Sequence, residues 1–368
     1  MAGMFTNLFG KRGDSVLGID IGSSSIKVVQ LRKKGGRALL ETYGALALGP
    51  YGATEIGRSV RLPTEKIIEA LNDIIREAKI TTKNCGLAIP FQSSLMSVME
   101  MPRVSTKELS QMVPIEARKY IPVPISEVTL DWSVIPQNEY RFDEPNKRNY
   151  NRTSKTEVLV VAIHNDVINE YQSIIKGSEL EANFFEIEIF STMRSVLEQE
   201  IAPLAIFDMG AASTKLYIVE RGIVKSSHTV NRGSQDITLA LSHSMNIPVA
   251  QAETIKRGLG PAGSFETKEV AEVITLTMDF IFSEANRVLL SYQKKYQKTI
   301  SKIVLVGGGA ALRGFNRLAQ KNFKTEAVLG DAFSKIETPA FLEDILRNTG
   351  PEFSVAAGVA LRRLQEVG

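Results

Sequence analysis

The stretch Leu17-Gly-Ile-Asp-Ile-Gly-Ser-Ser-Ser-Ile-Lys27 ends a β-prone run on an acid, turns at a glycine and restarts through small hydroxyl residues. Far down the chain, Ile206-Phe-Asp-Met-Gly-Ala-Ala-Ser-Thr-Lys215 repeats that design, and Ile303-Val-Leu-Val-Gly-Gly-Gly-Ala310 runs another apolar strand into a glycine triplet. In the first two, the glycine two residues after the aspartate lets a buried strand turn tightly into the next. A hairpin of this kind points backbone N–H groups and hydroxyls at an anion while the aspartate sits beside it. Two such hairpins imply two related lobes gripping one polyphosphate from opposite sides.

A length of 368 residues suffices for two or three domains, and 43% apolar with 23% charged residues is ordinary for a folded chain. The net charge of +3 is small, and basic residues alternate with acids. Lys11, Arg12, Arg32, Lys33 and Lys34 are local clusters, so composition gives no nucleic-acid footprint. The single Cys85 excludes an intrachain disulfide framework, and three scattered histidines exclude a Cys/His zinc site. No run of 18 apolar residues occurs, and the first ten residues lack the pattern of a signal peptide. Met4, Phe5, Leu8 and Phe9 would share one helical face before Lys11 and Arg12, which reads as a frayed terminus or a staple onto the domain ahead of a weak membrane-surface or partner contact.

Periodicity places a third strand at 38–48 and a helix starting at an N-cap Thr64, with Ile67, Ile68, Leu71, Ile74, Ile75 and Ala78 on one face. A short buried strand follows at 86–90. Residues 94–165 read β-α-β-β: a strand at 97–101, a helix opened by the Ser105/Glu108 capping box and kinked or divided at Pro114, then paired strands at 128–135 and 157–163. The polar stretch 137–156 joins those strands as a long hairpin loop. Helices at 166–176 and 191–200 flank a strand at 183–188. Beyond the second hairpin come a strand at 223–230, helices at 236–245, 249–257 and 269–296, a strand at 302–306, and helices at 312–320 and 353–364. In the long helix Val273, Leu276, Met278, Phe280, Ile281, Val288, Leu289 and Tyr292 supply apolar faces.

The candidate phosphate-binding residues are Gly22, Ser23, Ser24 and Ser25 in the first loop and Gly210, Ala211, Ala212, Ser213 and Thr214 in the second. Asp20 and Asp208 are candidates to hold Mg2+ through water, because that ion keeps much of its hydration and shares substrate phosphates. Lys27 is placed to meet a terminal phosphate as a point charge. Gly307, Gly308 and Gly309 lack side chains where a flat ring would approach the backbone, but Leu312 stands where a dinucleotide fingerprint needs another glycine. Glu253 and Lys256, three apart on a helix, face the same way toward a ribose and base; alone, such a pair is more often a surface ion pair.

In this order, Asp20-x-Gly22, Asp208-x-Gly210, Glu253-x-x-Lys256, Gly307-Gly-Gly309 and the closing Val355-Ala-Ala-Gly-Val-Ala-Leu-Arg362 resemble the actin, Hsp70 and sugar-kinase ATPase superfamily. Within it, Glu116-Ala-Arg-Lys-Tyr-Ile-Pro-Val-Pro124 with Asp131 and the helix near Tyr171 resemble the PilM family of type IV pilus proteins. That resemblance implies an α/β, two-lobed actin/Hsp70-like ATPase fold with a small FtsA-like insertion domain. The expected first lobe is 14–93, 166–202 and 353–368, the insertion 94–165, the second lobe 203–245 and 300–352, and a helical subdomain 246–299. It implies ATP with Mg2+ between the lobes, and capture of the cytoplasmic N-terminal peptide of a PilN protein near the helix 105–120 and the segment 121–124. The peptide groove would lie between the first lobe and the insertion. Attachment to the cytoplasmic face of an inner membrane would then come through the partner, and homodimerisation stays open.

One departure bears on activity. Ala211 and Ala212 stand where hydrolytic relatives often carry an acid and a second glycine, so hydrolysis is expected to be slow or absent, with ATP acting as a clamp. Glu186 and Glu188 lie near the position of a water-orienting residue, and their alternation predicts that at least one faces outward. Two further functions remain open from the sequence, an FtsA-like polymerising tether and, with no acceptor site recognisable, a small-molecule kinase.

Overall fold

β1 (Ser15–Ile21) and β2 (Ser25–Lys34) form the first hairpin, and β3 (Arg37–Ala47) extends it as an antiparallel meander. The computed structural model describes residues 15–135, 155–258 and 268–366, so the Met4 to Phe9 face and residues 137–154 of the expected loop lie outside the described residues. Helix α1 (Thr64–Glu77) follows, then β4 (Asn84–Ile89), β5 (Ser94–Pro102), α2 (Thr106–Ala117), β6 (Val128–Val134), β7 (Lys155–His164), α3 (Asn165–Gly177), β8 (Glu181–Ile187) and α4 (Glu188–Val196). The second half contains β9 (Leu204–Met209), β10 (Thr214–Glu220), β11 (Ile223–Val230), α5 (Ser234–Met245), α6 (Val249–Arg257) and α7 (Lys268–Tyr296). It closes with β12 (Lys302–Val306), α8 (Phe315–Phe323), β13 (Glu326–Leu329), β14 (Ile336–Glu337), α9 (Glu343–Thr349) and α10 (Ser354–Glu366).

The chain divides into two compact units, Met1–Ile89 with Ile174–Gly368, and Pro90–Ser173. The larger unit holds two sheets of the same design. One runs β14-β3-β2-β1-β4-β8 and the other β11-β10-β9-β12-β13. In each, three antiparallel strands are followed by parallel ones: β1 pairs β4 and β4 pairs β8 in parallel, as β9 pairs β12 and β12 pairs β13. The repeated loop motif thus belongs to a repeated sheet. Strand β2 is covered on both faces, so Ile26 to Leu31 are buried in an unbroken run. Its buried Gln30 is satisfied, donating to Glu41 and Thr81 and accepting from the Thr81 N–H.

Two glycines set how closely α10 can lie. A Cβ on Gly18 would sit 2.0 Å from the Ala356 carbonyl oxygen, and one on Gly358 would sit 1.8 Å from that of Ser191. The small residues Ala356, Ala357 and Ala360 complete the contact and are buried. Helix α10 therefore presses on β1 and α4 backbone to backbone. In the second half, α7 buries Val270, Ile274, Met278, Ile281, Phe282, Ala285, Leu289 and Tyr292, spaced at helical period. Phe282 stacks with Phe207 and Phe315 and meets Phe323 edge-on. Leu276 and Phe280, expected on apolar faces, stay exposed, and Phe280 carries the Arg232 guanidinium over its ring.

The smaller unit is a three-stranded antiparallel sheet ordered β5-β7-β6 with α2 on one face. Val158, Val160 and Ala162 alternate into a core shared with Met99, Met101, Leu109, Val113 and Ala117. The Ser105/Glu108 capping box forms as expected. Pro114 does not divide α2, which continues through it to Ala117, although the proline has no N–H to offer the Ser110 carbonyl. Other boundaries differ as well. Thr64 is the first helical residue after Pro63 and makes no capping bond, α4 starts at Glu188 rather than 191, and α8 starts at Phe315 rather than 312. The two-residue β14 and the short α9 carry too little periodicity to read from sequence.

Gly18→Ala and Gly358→Ala should each destabilise the chain by about 3 kcal/mol or more, because the added methyl meets backbone that cannot rotate away. Gly35→Ala, at a position with φ +57 and nothing within 4 Å, should cost only about 1 kcal/mol. Urea denaturation of the three variants checks the contrast.

Candidate functional site

Asp20 and Asp208 occupy the same place in the two sheets. Antiparallel register sets Asp20 opposite Lys27 and Asp208 opposite Lys215. The turns match as well, with Gly22 N–H donating to Ser25 O and Gly210 N–H to Ser213 O, both at 3.0 Å. The ammonium groups lie 3.8 Å from Asp20 and 3.7 Å from Asp208. Lys215 also reaches Glu188 at 2.6 Å, at the start of α4. Each hairpin therefore presents one carboxylate and one lysine, and Glu188 joins them from a third element.

The five groups sense one another. Burial raises the Asp20 carboxyl, against the pull of Lys27 and Lys215 and with the repulsion of Glu188. Burial also pushes Asp208 up to about 6, opposed by Lys215 and reinforced by Glu188 and Asp20. Burial alone would lower Lys215, but Glu188 and Asp208 outweigh it and hold the ammonium charged. When all five are ionised, three carboxylates face two ammonium groups and one negative charge remains. Among the described residues, no three His, Cys, Asp or Glu side chains converge as a direct metal cage. The donor set fits a hydrated Mg2+ held through water and substrate oxygens, as that ion prefers.

Sequence reasoning named Asp20, Asp208 and Lys27, missed Lys215, and noted Glu188 near a water-orienting position without placing it in the site. The signal for Lys215 was present, since it follows Asp208 by the same interval that separates Lys27 from Asp20. The expectation that Glu186 or Glu188 faces outward is corrected, because both are buried. Glu188 has left the strand for the first turn of α4, so strand alternation no longer applies to it. Glu186 is consumed structurally, taking two bonds from Arg194 and one each from Ser191 and Arg362.

The remaining candidates divide by what they touch. Gly307, at φ +86, abuts Asp208 so closely that a Cβ would lie 2.4 Å from its Oδ1. Gly309 packs against Met209, whereas Gly308 is exposed with nothing within 4 Å of its missing side chain. Gly210 and Ala211 give their carbonyls to the N–H groups of Ser234 and Gln235, docking α5 on the second loop. Thr214 is buried and spends its hydroxyl on the Arg232 carbonyl. Ser23, Ala212 and Ser213 are at least partly accessible, as are Ser24 and Ser25. Glu253 and Lys256 form a 2.7 Å pair that is 5% and 9% exposed, not a surface pair, and both bond Thr238. Burial raises the Glu253 carboxyl, but Lys256, Arg257 and Thr238 more than offset it and keep it below the usual range. A separate cavity of ≈ 310 Å³, lined by Phe190, Met193, Leu197, Leu204, Val219 and Arg221 among others, contains none of these groups.

A raised carboxyl pKa carries a definite sign. The native state holds the Asp208 proton more tightly than the unfolded chain, so the cost of burying its charge develops as pH rises from 3.8 to about 6 and is complete above that. Asp208→Asn should therefore raise the thermal midpoint of the ligand-free protein at about pH 7.5 and lose that advantage by about pH 4. Thermal melts across this range read it, and a gain that persists at the acid end would contradict a raised Asp208.

The sequence matches the family described as Type IV pilus assembly protein PilM across residues 18–364. The structure is similar to that of a PilM-PilN type IV pilus biogenesis complex, with TM-score 0.78 and 22% identity over 95% of this chain and 98% of that one. It is also similar to MreB5 of Spiroplasma citri bound to AMPPNP, with TM-score 0.52 and 11% identity over 96% and 98%. A cell division protein FtsA of Neisseria meningitidis serogroup B is 24% identical over 317 residues, 75% of each chain. The fold is that of the actin-like ATPases, and the chain belongs to the PilM family of type IV pilus assembly proteins.

Proposed function

We propose that this chain is an ATP-binding scaffold of a type IV pilus assembly machine, which binds the cytoplasmic N-terminal peptide of a PilN protein at the inner membrane. The observation that carries the nucleotide part is the pair of matched Asp–Lys hairpins, Asp20 with Lys27 and Asp208 with Lys215, close enough that each carboxyl feels the other hairpin's lysine. The turn N–H groups and the hydroxyls at 23–25 and 213 would take the phosphates, with Asp20 and Asp208 holding the waters of Mg2+. That ion would supply charge neutralisation of the phosphate oxygens. Gly308, open beside Gly307, leaves room for a base, and the Glu253/Lys256 pair would close the ribose side. The AMPPNP in the MreB5 structure and the partner in the PilM-PilN structure support this reading from related folds.

Turnover should be slow. Glu188 is the acid best placed to orient water, but Lys215 holds it at 2.6 Å, and Ala211 and Ala212 bring no further carboxylate. ATP then works as a clamp between the sheets rather than as fuel. For the peptide, α2 and the turn after it offer Ile115 and Tyr120, 65% and 46% exposed, on the small unit. An apolar peptide docking there would place the protein at a membrane, although no described helix is long and apolar enough to cross one.

Calorimetry with a synthetic PilN N-terminal peptide, with and without Mg-ATP, tests both parts. ATP should tighten the peptide in the unmodified protein but not in Asp208→Ala, and Ile115→Asp should weaken the peptide about tenfold while leaving ATP binding intact. Hydrolysis should stay on the order of 10⁻³ s⁻¹ or below, the scale of a nucleotide site lacking its completing residue. ATP binding with no affinity for the peptide would overturn the scaffold reading, and phosphoryl transfer to a small acceptor would replace it with a kinase.

A further inference from the structure

Between β3 and α1 the chain does not take the shortest route. It forms a strap, residues 48–62, whose two ends are bonded to the first loop: Leu48 N–H donates to Ser24 O at 2.9 Å and Val60 N–H to Ser23 O at 2.8 Å. The strap is folded tightly on itself. Thr54 N–H bonds Gly49 O, and a Cβ on Gly49 would lie 2.3 Å from Glu55 O. Its tip, Gly57-Arg58-Ser59, reaches the other sheet's helices. Ser59 N–H donates to Gln235 Oε1 on α5 at 3.0 Å, and Gly57, at φ +92, lies so near Glu253 on α6 that a Cβ would be 2.5 Å from Oε2. The strap thus touches the first loop and the Glu253/Lys256 pair at once.

Arg58 sits at the centre of that tip. Its Nε–H is closed off from solvent and has no acceptor among the described residues. The enclosed Nε–H is costly to leave unpaired, while the residue as a whole is only partly buried and no carboxylate among the described residues pairs with it, so the open part of its guanidinium fork has the shape that phosphate oxygens satisfy. The two lysines of the hairpins are already opposed by Asp20, Asp208 and Glu188, whereas a nucleoside triphosphate brings several negative charges of its own. We propose that Arg58 is a phosphate-binding residue of the candidate nucleotide site, carried on a strap that the Ser59–Gln235 hydrogen bond ties across the two sheets. It rests on the nucleotide reading given above and adds to it a cation and a mechanical link that the loop motifs do not contain. A phosphate bonded by Arg58 fixes the tip, the fixed tip holds Gln235 and Glu253, and occupancy of the site is thereby felt in α5 and α6.

The test uses the whole chain and three probes, Mg-ATP, tripolyphosphate and adenosine, measured by calorimetry. Arg58→Ala should weaken Mg-ATP and tripolyphosphate alike by about tenfold or more and leave adenosine unchanged, with Arg58→Lys between the two. The ligand-free thermal midpoint of Arg58→Ala should stay level or rise, since an unpaired donor has been removed. Arg58 and Arg61 also make the strap a trypsin target, and saturating Mg-ATP should slow its cleavage in the unmodified protein and less so in Gln235→Ala. If the unmodified protein binds neither ATP nor tripolyphosphate, the nucleotide reading and this one fall together. If it binds both and Arg58→Ala binds them equally well, or loses adenosine to the same degree, the role of Arg58 alone is overturned. Strap cleavage that ignores Mg-ATP overturns the mechanical link whether or not the variants fold.

Discussion

A carboxylate at the end of a buried strand is unfavourable unless a cation answers it, and this chain solves that problem twice in the same way. Asp20 faces Lys27 and Asp208 faces Lys215 because an antiparallel hairpin with this turn length brings those positions opposite each other. The solution is incomplete. The ammonium groups stand nearly 4 Å off the aspartates, at 3.8 and 3.7 Å, and Glu188 takes the shorter contact with Lys215. Burial consequently keeps both aspartates above their ordinary range. Such a cluster is more comfortable with a further cation and a set of phosphate oxygens than without them, which is the physical basis for reading it as a nucleotide site.

The rest of the larger unit keeps that cluster in place. Apart from the edge strand β14, its sheets share one strand order, so equivalent loops emerge at equivalent sheet ends. Helix α10 lies on the first sheet at backbone distance because Gly18 and Gly358 allow it. It also anchors α4, whose first residue is Glu188. Arg194 on α4 donates to the Gly358 carbonyl and to Glu186, and Arg362 on α10 reaches the same carboxylate. On the second sheet the carbonyls of Gly210 and Ala211 receive the start of α5. Loops that would otherwise be free are thus pinned by helices, which gives a phosphate site its preorganisation.

The hairpins, most strands of the first sheet and the helices at 249–257 and near 268–296 were legible because their signals are local: apolar runs, helical spacing, a glycine after an acid. Reading failed where a residue's role depends on what lies beside it in space. Glu188 looked like a strand residue until the strand ended one position earlier. Glu253 and Lys256 were read as facing a ribose and base, but spacing alone could not separate that from a surface pair, and their burial against Thr238 and the strap is visible only in the fold. Thr214 looked like a phosphate ligand, yet its hydroxyl belongs to Arg232. The family followed from motif order and the Tyr120-Ile-Pro stretch, neither of which needs coordinates.

The duplicated strand–loop–strand design, the glycines that its turns require and the family to which the chain belongs are properties of short segments and their order, and can be read without coordinates. The tertiary structure alone decided which charges meet. Lys215 bridges Asp208 and Glu188, Glu186 is spent on two arginines, and Arg58 is carried across to α5 and α6 by a strap with no motif of its own. The reason is physical: charge pairing and burial are set by neighbours far apart in sequence, and no local pattern encodes a distance between residue 58 and residue 235.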